Sequence, residues 1–346
     1  MHSRRGDVAD LPAETQAGPR SGRVSPSLVI GLVNSMPGEA LEHTERQFRG
    51  ILGAAARNVS VRIRLFSLDP PTQAAASRYE HAAAIDPDDI DGLIVTGMPP
   101  RAASLHDEPC WKALTALVDL AAERGIPTVW SCLAAHAAVL YLDGIERRPL
   151  GEKLSGLYAC TRTRDDHPML ARLPRRWRVP HSRYNELSAD ALTACGYDIL
   201  SSSPEAGVDL FARRAGALFL FCQGHPEYDA AALLREYRRD VRQFLIGARE
   251  SYPAMPHGYF SPGVSESLAA FRAEALRARA PETMTHFPFA VCEADLAHSW
   301  RNLAHGLYAN WLAYLLAGRT RSGAALADAA MRRASADPAA AAIPSA

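Results

Sequence analysis

The sequence predicts an α/β protein: a doubly wound, mostly parallel sheet flanked by helices, with an added helical segment toward the C-terminus. Three observations lead there. Short β-branched runs recur at 27–34 (SLVIGLVN), 61–68 (VRIRLFSL), 91–100 (DGLIVTGMPP) and 125–132 (GIPTVWSC). Stretches of helical period lie between them, at about 41–57 and at 111–123 (WKALTALVDLAAE), and this alternation is the mark of parallel strands joined by crossover helices. Three of the runs also end in unusual loops, NSMP, TGMPP and WSC. In open α/β sheets, ligands sit beyond the carboxyl ends of the strands.

Each element has a local reason. SLVIGLVN is apolar throughout, as a strand covered on both faces must be, and Asn-Ser-Met-Pro stops it. VRIRLFSL alternates, and DGLIVTGMPP ends in a Gly/Pro turn. The second half is less regular. Residues 175–187 (RRWRVPHSRYNEL) and 209–229 (DLFARRAGALFLFCQGHPEYD) read as antiparallel segments, the latter folding back around Gly216-Ala217. A long helix is expected over 229–250, an amphipathic one over 263–280, and a closing one over 299–317 (SWRNLAHGLYANWLAYLLA).

Both ends read as tails. Residues 1–27 are rich in Arg, Gly, Pro and Ser without the apolar run of a signal peptide, and 320–346 are Ala-rich, so both are expected to be mobile. Residues 28–319 then form one domain, long enough for a sizeable core. Lys plus Arg (38) balances Asp plus Glu (38), and the Arg-rich pieces are short, which argues against a nucleic-acid partner. The longest apolar stretches, such as YANWLAYLLA, fall well short of the roughly 20 residues that span a bilayer. Six scattered cysteines without C-x-x-C spacing fit a reducing cytoplasm.

One cysteine is placed where chemistry happens. Cys132 stands at the junction of a strand with a helix, where unpaired N–H groups and the positive end of the helix dipole favour a thiolate. The same groups can receive a developing oxyanion. A small buried thiol is the blander reading. Gly224-His225-Pro226-Glu227 sharpens the choice, because it too follows a strand. In an extended segment His225 and Glu227 point the same way, so the carboxylate can orient the imidazole. A turn with a surface glutamate is the bland alternative; with Cys132 the motif makes a Cys–His–Glu constellation. Cys132 and His136, four apart on a helix, lack a third metal ligand. Cys222 lies inside an apolar strand and reads as core, and no phosphate-binding glycine loop is present.

Seven motifs together carry a family resemblance: GLIVTGMP, VWSCLAAHAA, EKLSGLY, VPHSRYNEL, QGHPEYD, REYRRDV and SWRNLAHGLYANWLAY. In their order and spacing, over about 28–317, the chain resembles the homoserine O-acyltransferases of the MetA type, whose fold is like that of class I glutamine amidotransferases. The resemblance implies transfer of an acyl group from acyl-CoA to homoserine on the way to methionine. Acyl-CoA serves as co-substrate, with no bound cofactor or metal, and a homodimer is common. It implies that Cys132 is the nucleophile, His225 the general base and Glu227 its orienting partner. It further implies that Lys153 and Ser182 line the substrate site and that Arg239 holds the acceptor's carboxylate.

Four departures bear on specificity. Arg101 stands where such enzymes carry Gly, with succinyl donors, or Glu, with acetyl donors. Its bulk favours acetyl and its charge favours succinyl, whose free carboxylate a guanidinium would pair; the sequence reading leans to succinyl-CoA. The loop after NSMP is long and lacks lysines, His136 replaces a usual Gln, and 261–298 is an insertion without an evident role. The alternatives are an acetyl-CoA-dependent transferase acting on homoserine or serine, and a glutamine amidotransferase-like hydrolase. Against the hydrolase, the thiol is framed by Trp-Ser-Cys-Leu-Ala rather than Gly-x-Cys-x-Gly.

Overall fold

The computed structural model describes residues 26–57, 59–70 and 77–336, with side chains as far as Arg319. In chain order the elements are β1 (Ser27–Val33), α1 (Glu39–Ala55), β2 (Ser60–Ser67), β3 (Glu80–His81), β4 (Gly92–Val95), α2 (Trp111–Glu123), β5 (Thr128–Ser131) and α3 (Leu133–Asp143). There follow β6 (Arg148–Arg162), β7 (Arg176–Glu186), α4 (Ala189–Ala194), β8 (Asp198–Ser203), β9 (Gly207–Ala215), β10 (Ala217–Cys222) and α5 (Ala232–Leu245). The chain closes with α6 (Pro262–Arg277), α7 (Phe289–Ala294) and α8 (Arg301–Ala336). Residues 1–25 and 337–346, most of the two expected tails, lie outside the described residues, and α8 continues through 320–336.

One ten-stranded sheet runs through the molecule in the order β3-β2-β1-β4-β5-β10-β9-β8-β6-β7. The pairs from β3 to β10 are parallel, and those from β10 to β7 are antiparallel. The expected mostly parallel, doubly wound sheet is therefore present, extended on one side by an antiparallel wing. Gly216 makes the return from β9 to β10 possible. Its φ is 71°, and a Cβ there would lie 1.9 Å from the Ala122 carbonyl oxygen, so neither the conformation nor the space admits a side chain.

The strands alternate between two cores, which is why they read as unbroken apolar runs. Leu93, Val95 and Trp130 face one core with Leu114, Leu117 and Val118 of α2 and the small residues of α3. Leu28, Ile30, Leu32, Ile94 and Val129 face the other with Phe48 and Leu52 of α1 and Leu307 and Trp311 of α8. A third cluster packs α5 against α6 and α7, around Tyr237, Phe244, Leu268, Phe271 and Trp300. The segment 261–298 thus packs against the buried, apolar face of α5.

Register decides where the loops emerge. Val33 lies beside Val95, Val95 beside Trp130, and Trp130 beside Phe221. The segments that follow β1, β4, β5 and β10 therefore leave the sheet at one level, on one edge. The three special loops NSMP, TGMPP and WSC follow strand ends, and the strand order makes those ends neighbours. β6, fifteen residues long, shows in the sequence only through its EKLSG motif. That strand mixes exposed and buried positions irregularly, and its pairing with β7 shifts between Pro149 and Leu154, so no clean period of two marks it.

Candidate active site

Cys132 sits between β5 and α3, capping the helix with φ 51° and ψ −115°. A positive φ at a residue with a side chain is costly, on the order of 1–3 kcal/mol, and persists only where the surroundings enforce it. Two constraints do so. The Cys132 N–H donates to the Cys222 carbonyl at 2.7 Å, and Gly97, after β4, presses from the other side. A Cβ on Gly97 would lie 2.9 Å from the Cys132 Cβ and 3.2 Å from the Leu133 nitrogen. Glycine there keeps open the space beside the first N–H groups of α3, which have no partner within their helix.

The His225–Glu227 pair forms as expected but by a different backbone. Residues 225–228 make a turn, closed by the Tyr228 N–H on the His225 carbonyl at 3.2 Å, rather than an extended strand. Glu227 Oε1 accepts from His225 Nδ1 at 2.8 Å, which leaves Nε2 to the thiol of Cys132. Ser131 Oγ adds a longer bond to the same carboxylate oxygen, 3.4 Å. Tyr228 stacks on the imidazole with ring centroids 4.2 Å apart. Burial opposes charge on His225, yet Glu227 and a hydrogen bond with Cys132 hold its pKa well above the ordinary value. The arrangement favours the imidazolium form of His225 beside the sulfur of Cys132.

A cavity of about 180 Å³ opens over these three residues, and Lys153, Ser182 and Arg239 line it too. They converge on two carboxylates of α5 that the sequence reading passed over. Lys153 Nζ, nearly buried, bonds Glu236 Oε2 at 3.1 Å and Asp240 Oδ2 at 2.8 Å. Ser182 donates to Glu236 Oε2, the Tyr228 hydroxyl donates to Glu236 Oε1 at 2.5 Å, and Arg239 bonds Asp240 Oδ1 at 3.0 Å. Burial opposes ionisation of Glu236, but Lys153, Ser182, Tyr228 and Arg239 together pull its pKa down to about 2. The sequence signal was present. Positions 236, 239 and 240 of REYRRD share one helix face.

Arg101 stands apart. Its backbone N–H is held by the buried carboxylate of Glu108 at 3.0 Å, and its guanidinium pairs with Asp69 at 3.0 Å. It is absent from the cavity lining, so this geometry does not bring it to the acyl group. Two other arginines are there instead. Arg183, buried, donates to the carbonyls of Asn185 and Ala206. Arg147 donates to the Ala103 carbonyl at 3.3 Å and makes no carboxylate ion pair among the described residues. Burial lowers the pKa of both, while the charge of Cys132 works the other way.

His136 also borders the cavity, yet its Nε2 is committed to Gln223 Oε1 at 2.9 Å. Burial lowers its pKa to about 3, so it is a neutral structural group. Away from the cavity, Cys160, His181 and Asp209 bring three donor atoms within 4.8 Å of one another. That buried cluster backs Gly224, where a Cβ would lie 2.6 Å from Asp209 Oδ1.

The site is thus a thiol held by an imidazole and a carboxylate, on the rim of an α/β sheet, beside a charged pocket of amino-acid size. The family model described as "HTS: Homoserine O-succinyltransferase" matches residues 15–322. Curated proteins named homoserine O-succinyltransferase are similar over most of their length. One from Methylorubrum extorquens is 48% identical over 292 residues, 83% of this chain and 86% of its own. One from Rhodopseudomonas palustris is 46% identical, covering 82% and 86%, and one from Bradyrhizobium japonicum is 44% identical, covering 87% and 94%. Among solved structures, a glutamine amidotransferase from Thermotoga maritima superposes with TM-score 0.48 at 14% identity, covering 84% of this chain and 98% of that one. The chain belongs to the homoserine O-succinyltransferase family, and is accordingly an acyltransferase of methionine biosynthesis.

Proposed function

We propose that the protein transfers a succinyl group from succinyl-CoA to the hydroxyl of L-homoserine through a thioester on Cys132. The observation that carries this reading is the Cys132–His225–Glu227 geometry at the floor of the cavity. The Cys132 sulfur attacks the thioester carbonyl, and the oxyanion falls beside Gly97, against the N–H groups that open α3. As the carbon–sulfur bond to CoA breaks, the His225 imidazolium gives its proton to the departing thiolate. The homoserine hydroxyl then loses its proton to His225 Nε2 while its oxygen attacks the acyl-enzyme. Cys132 leaves as thiolate, and Glu227 supports each charged state of the imidazole.

The charged pocket suits a zwitterionic acceptor. Arg239 offers a planar fork for its carboxylate, beside the ionised Glu236 that Lys153 pairs. For the donor, Arg147 takes the part the sequence reading gave Arg101: an unpaired guanidinium in the cavity wall, suited to the free carboxylate of a succinyl group. The names of the relatives favour the same donor. No helix among the described residues is long and apolar enough to cross a membrane, and the six cysteines are free thiols. The free thiols suit a reducing compartment such as the cytoplasm.

Mass spectrometry after mixing with succinyl-CoA alone tests the reading. One succinyl adduct, labile to hydroxylamine and absent in Cys132→Ala, is expected, together with parallel double-reciprocal lines. Intersecting lines with no trapped adduct would refute the thioester, and a preference for acetyl-CoA would refute the donor.

A further inference from the structure

The catalytic cavity is too small for a whole CoA thioester, since drug-sized ligands occupy pockets of roughly 300–1,000 Å³. A second groove, of about 670 Å³, continues from it. The two share Met36, Pro99, Tyr228 and Arg239 in their walls, so a ligand can lie in both at once. One wall of the groove is a single face of α5: Arg235, Arg238, Arg239 and Arg242, spaced i, i+3, i+4, i+7. Arg235 is paired with Asp229 and Arg239 with Asp240. Arg238 and Arg242 are exposed, and neither has a carboxylate at ion-pair distance among the described residues. Against these four cations the groove carries two carboxylates, Glu39 and Glu236, and Glu236 is already neutralised by Lys153.

We infer that this arginine face binds the phosphates of the acyl donor's nucleotide half, with the pantetheine arm passing Arg239 into the catalytic cavity. The inference rests on the reading of the donor as a CoA thioester and adds where its charge is held. A row of four guanidinium groups on one helix face, two of them without an ion-pair partner among the described residues, is a surface that polyanionic phosphates recognise, by paired N–H donors as well as charge. The insertion at 261–298 supplies the rigidity. Phe289 lies under the Arg238 guanidinium, 5.0 Å from it to the ring centre, Met284 completes the groove wall, and Arg279 ties to the Phe244 carbonyl at 2.8 Å. Its apolar residues pack the inner side of α5 and leave the arginine side facing outward.

The test compares succinyl-CoA with succinyl-pantetheine, a donor with the same thioester and no phosphate, in wild type and in Arg238→Glu/Arg242→Glu. The KM for succinyl-CoA is expected to rise by about tenfold or more, as for lost charge-assisted contacts. That for succinyl-pantetheine should move by less than about twofold. Adenosine 3′,5′-bisphosphate, which has no pantetheine arm, is expected to compete with succinyl-CoA in wild type and to lose potency in the variant. The milder Arg238→Gln/Arg242→Gln variant, with an unchanged melting temperature, should show the same ordering in smaller measure. Equal KM changes for both donors, or equal inhibition of wild type and variant, would overturn the phosphate assignment. A wild type inert toward both donors would instead overturn the proposed acyl transfer.

Discussion

At Cys132 the backbone is bent to φ 51° so that the thiol, the imidazole and the start of α3 meet at one point. Gly97 is the residue that allows it. Gly97→Ala is expected to put a methyl group where the proposed mechanism places the oxyanion and to lower kcat about 10²–10³-fold, as for a lost oxyanion donor, with the fold intact by circular dichroism. His225→Asn should cost about 10²–10⁴-fold in kcat. Glu227→Gln should cost less, because it removes support for charge and leaves the imidazole in place. Arg147 and Arg101 offer a direct contrast. Losing a hydrogen-bonded charge partner costs about 1.5–3 kcal/mol. Arg147→Gln should therefore reduce kcat/KM for succinyl-CoA roughly 10–100-fold relative to acetyl-CoA. Arg101→Gln, removing an exposed pair with Asp69, should change that ratio by less than about threefold. Steady-state kinetics with both donors decides between them.

At the scale of elements, the site is held by a polar seam between the β6–β7 pair and α5. Lys153 comes from β6, Ser182 from β7, and both reach Glu236 on α5. Such a buried network ties two elements together, and its strength depends on ionisation. Glu236 has a folded pKa of about 2 against an ordinary value of 4.5. A lowered acid pKa stabilises the fold fully above the unfolded value and is lost as pH falls through the folded one. The window is therefore pH 4.5 down to about 2, and the gap corresponds to about 3 kcal/mol. Urea unfolding across that window should show wild type losing stability more steeply than Glu236→Gln. Parallel slopes would mean that the seam does not hold the elements through this charge.

On the scale of the whole molecule, α8 closes the sheet face opposite α2 and α3. Trp311 is fully buried in that core with Leu307 and Leu312, so Trp311→Ala should cost about 3–5 kcal/mol in denaturant unfolding. Leu276→Ala, at a side chain 53% exposed on α6, should stay within about 0.5 kcal/mol.

The sequence by itself determined the elements of the parallel half, and with them the edge on which chemistry had to occur. Strand and helix periods are local, and SLVIGLVN, GLIVTG and PTVWSC carry them without interference. Cys132, His225 and Glu227 were legible for the same reason, since each sits at the end of a strand that announces itself. Only the tertiary structure decided what surrounds them. The antiparallel wing was legible in part, through 175–187 and the return at Gly216-Ala217, but β6 was hidden because its irregular burial and the register shift between Pro149 and Leu154 break its period of two. Arg101 looked like the reader of the acyl group because it follows TGMPP, but Glu108, seven residues on, captures its backbone and Asp69 takes its side chain. Arg147 looked like one more charge in ERRP until folding set it in the cavity wall. Which charged side chains converge is fixed by strand order, register and the ion pairs available nearby, and those depend on contacts between residues that no local pattern connects.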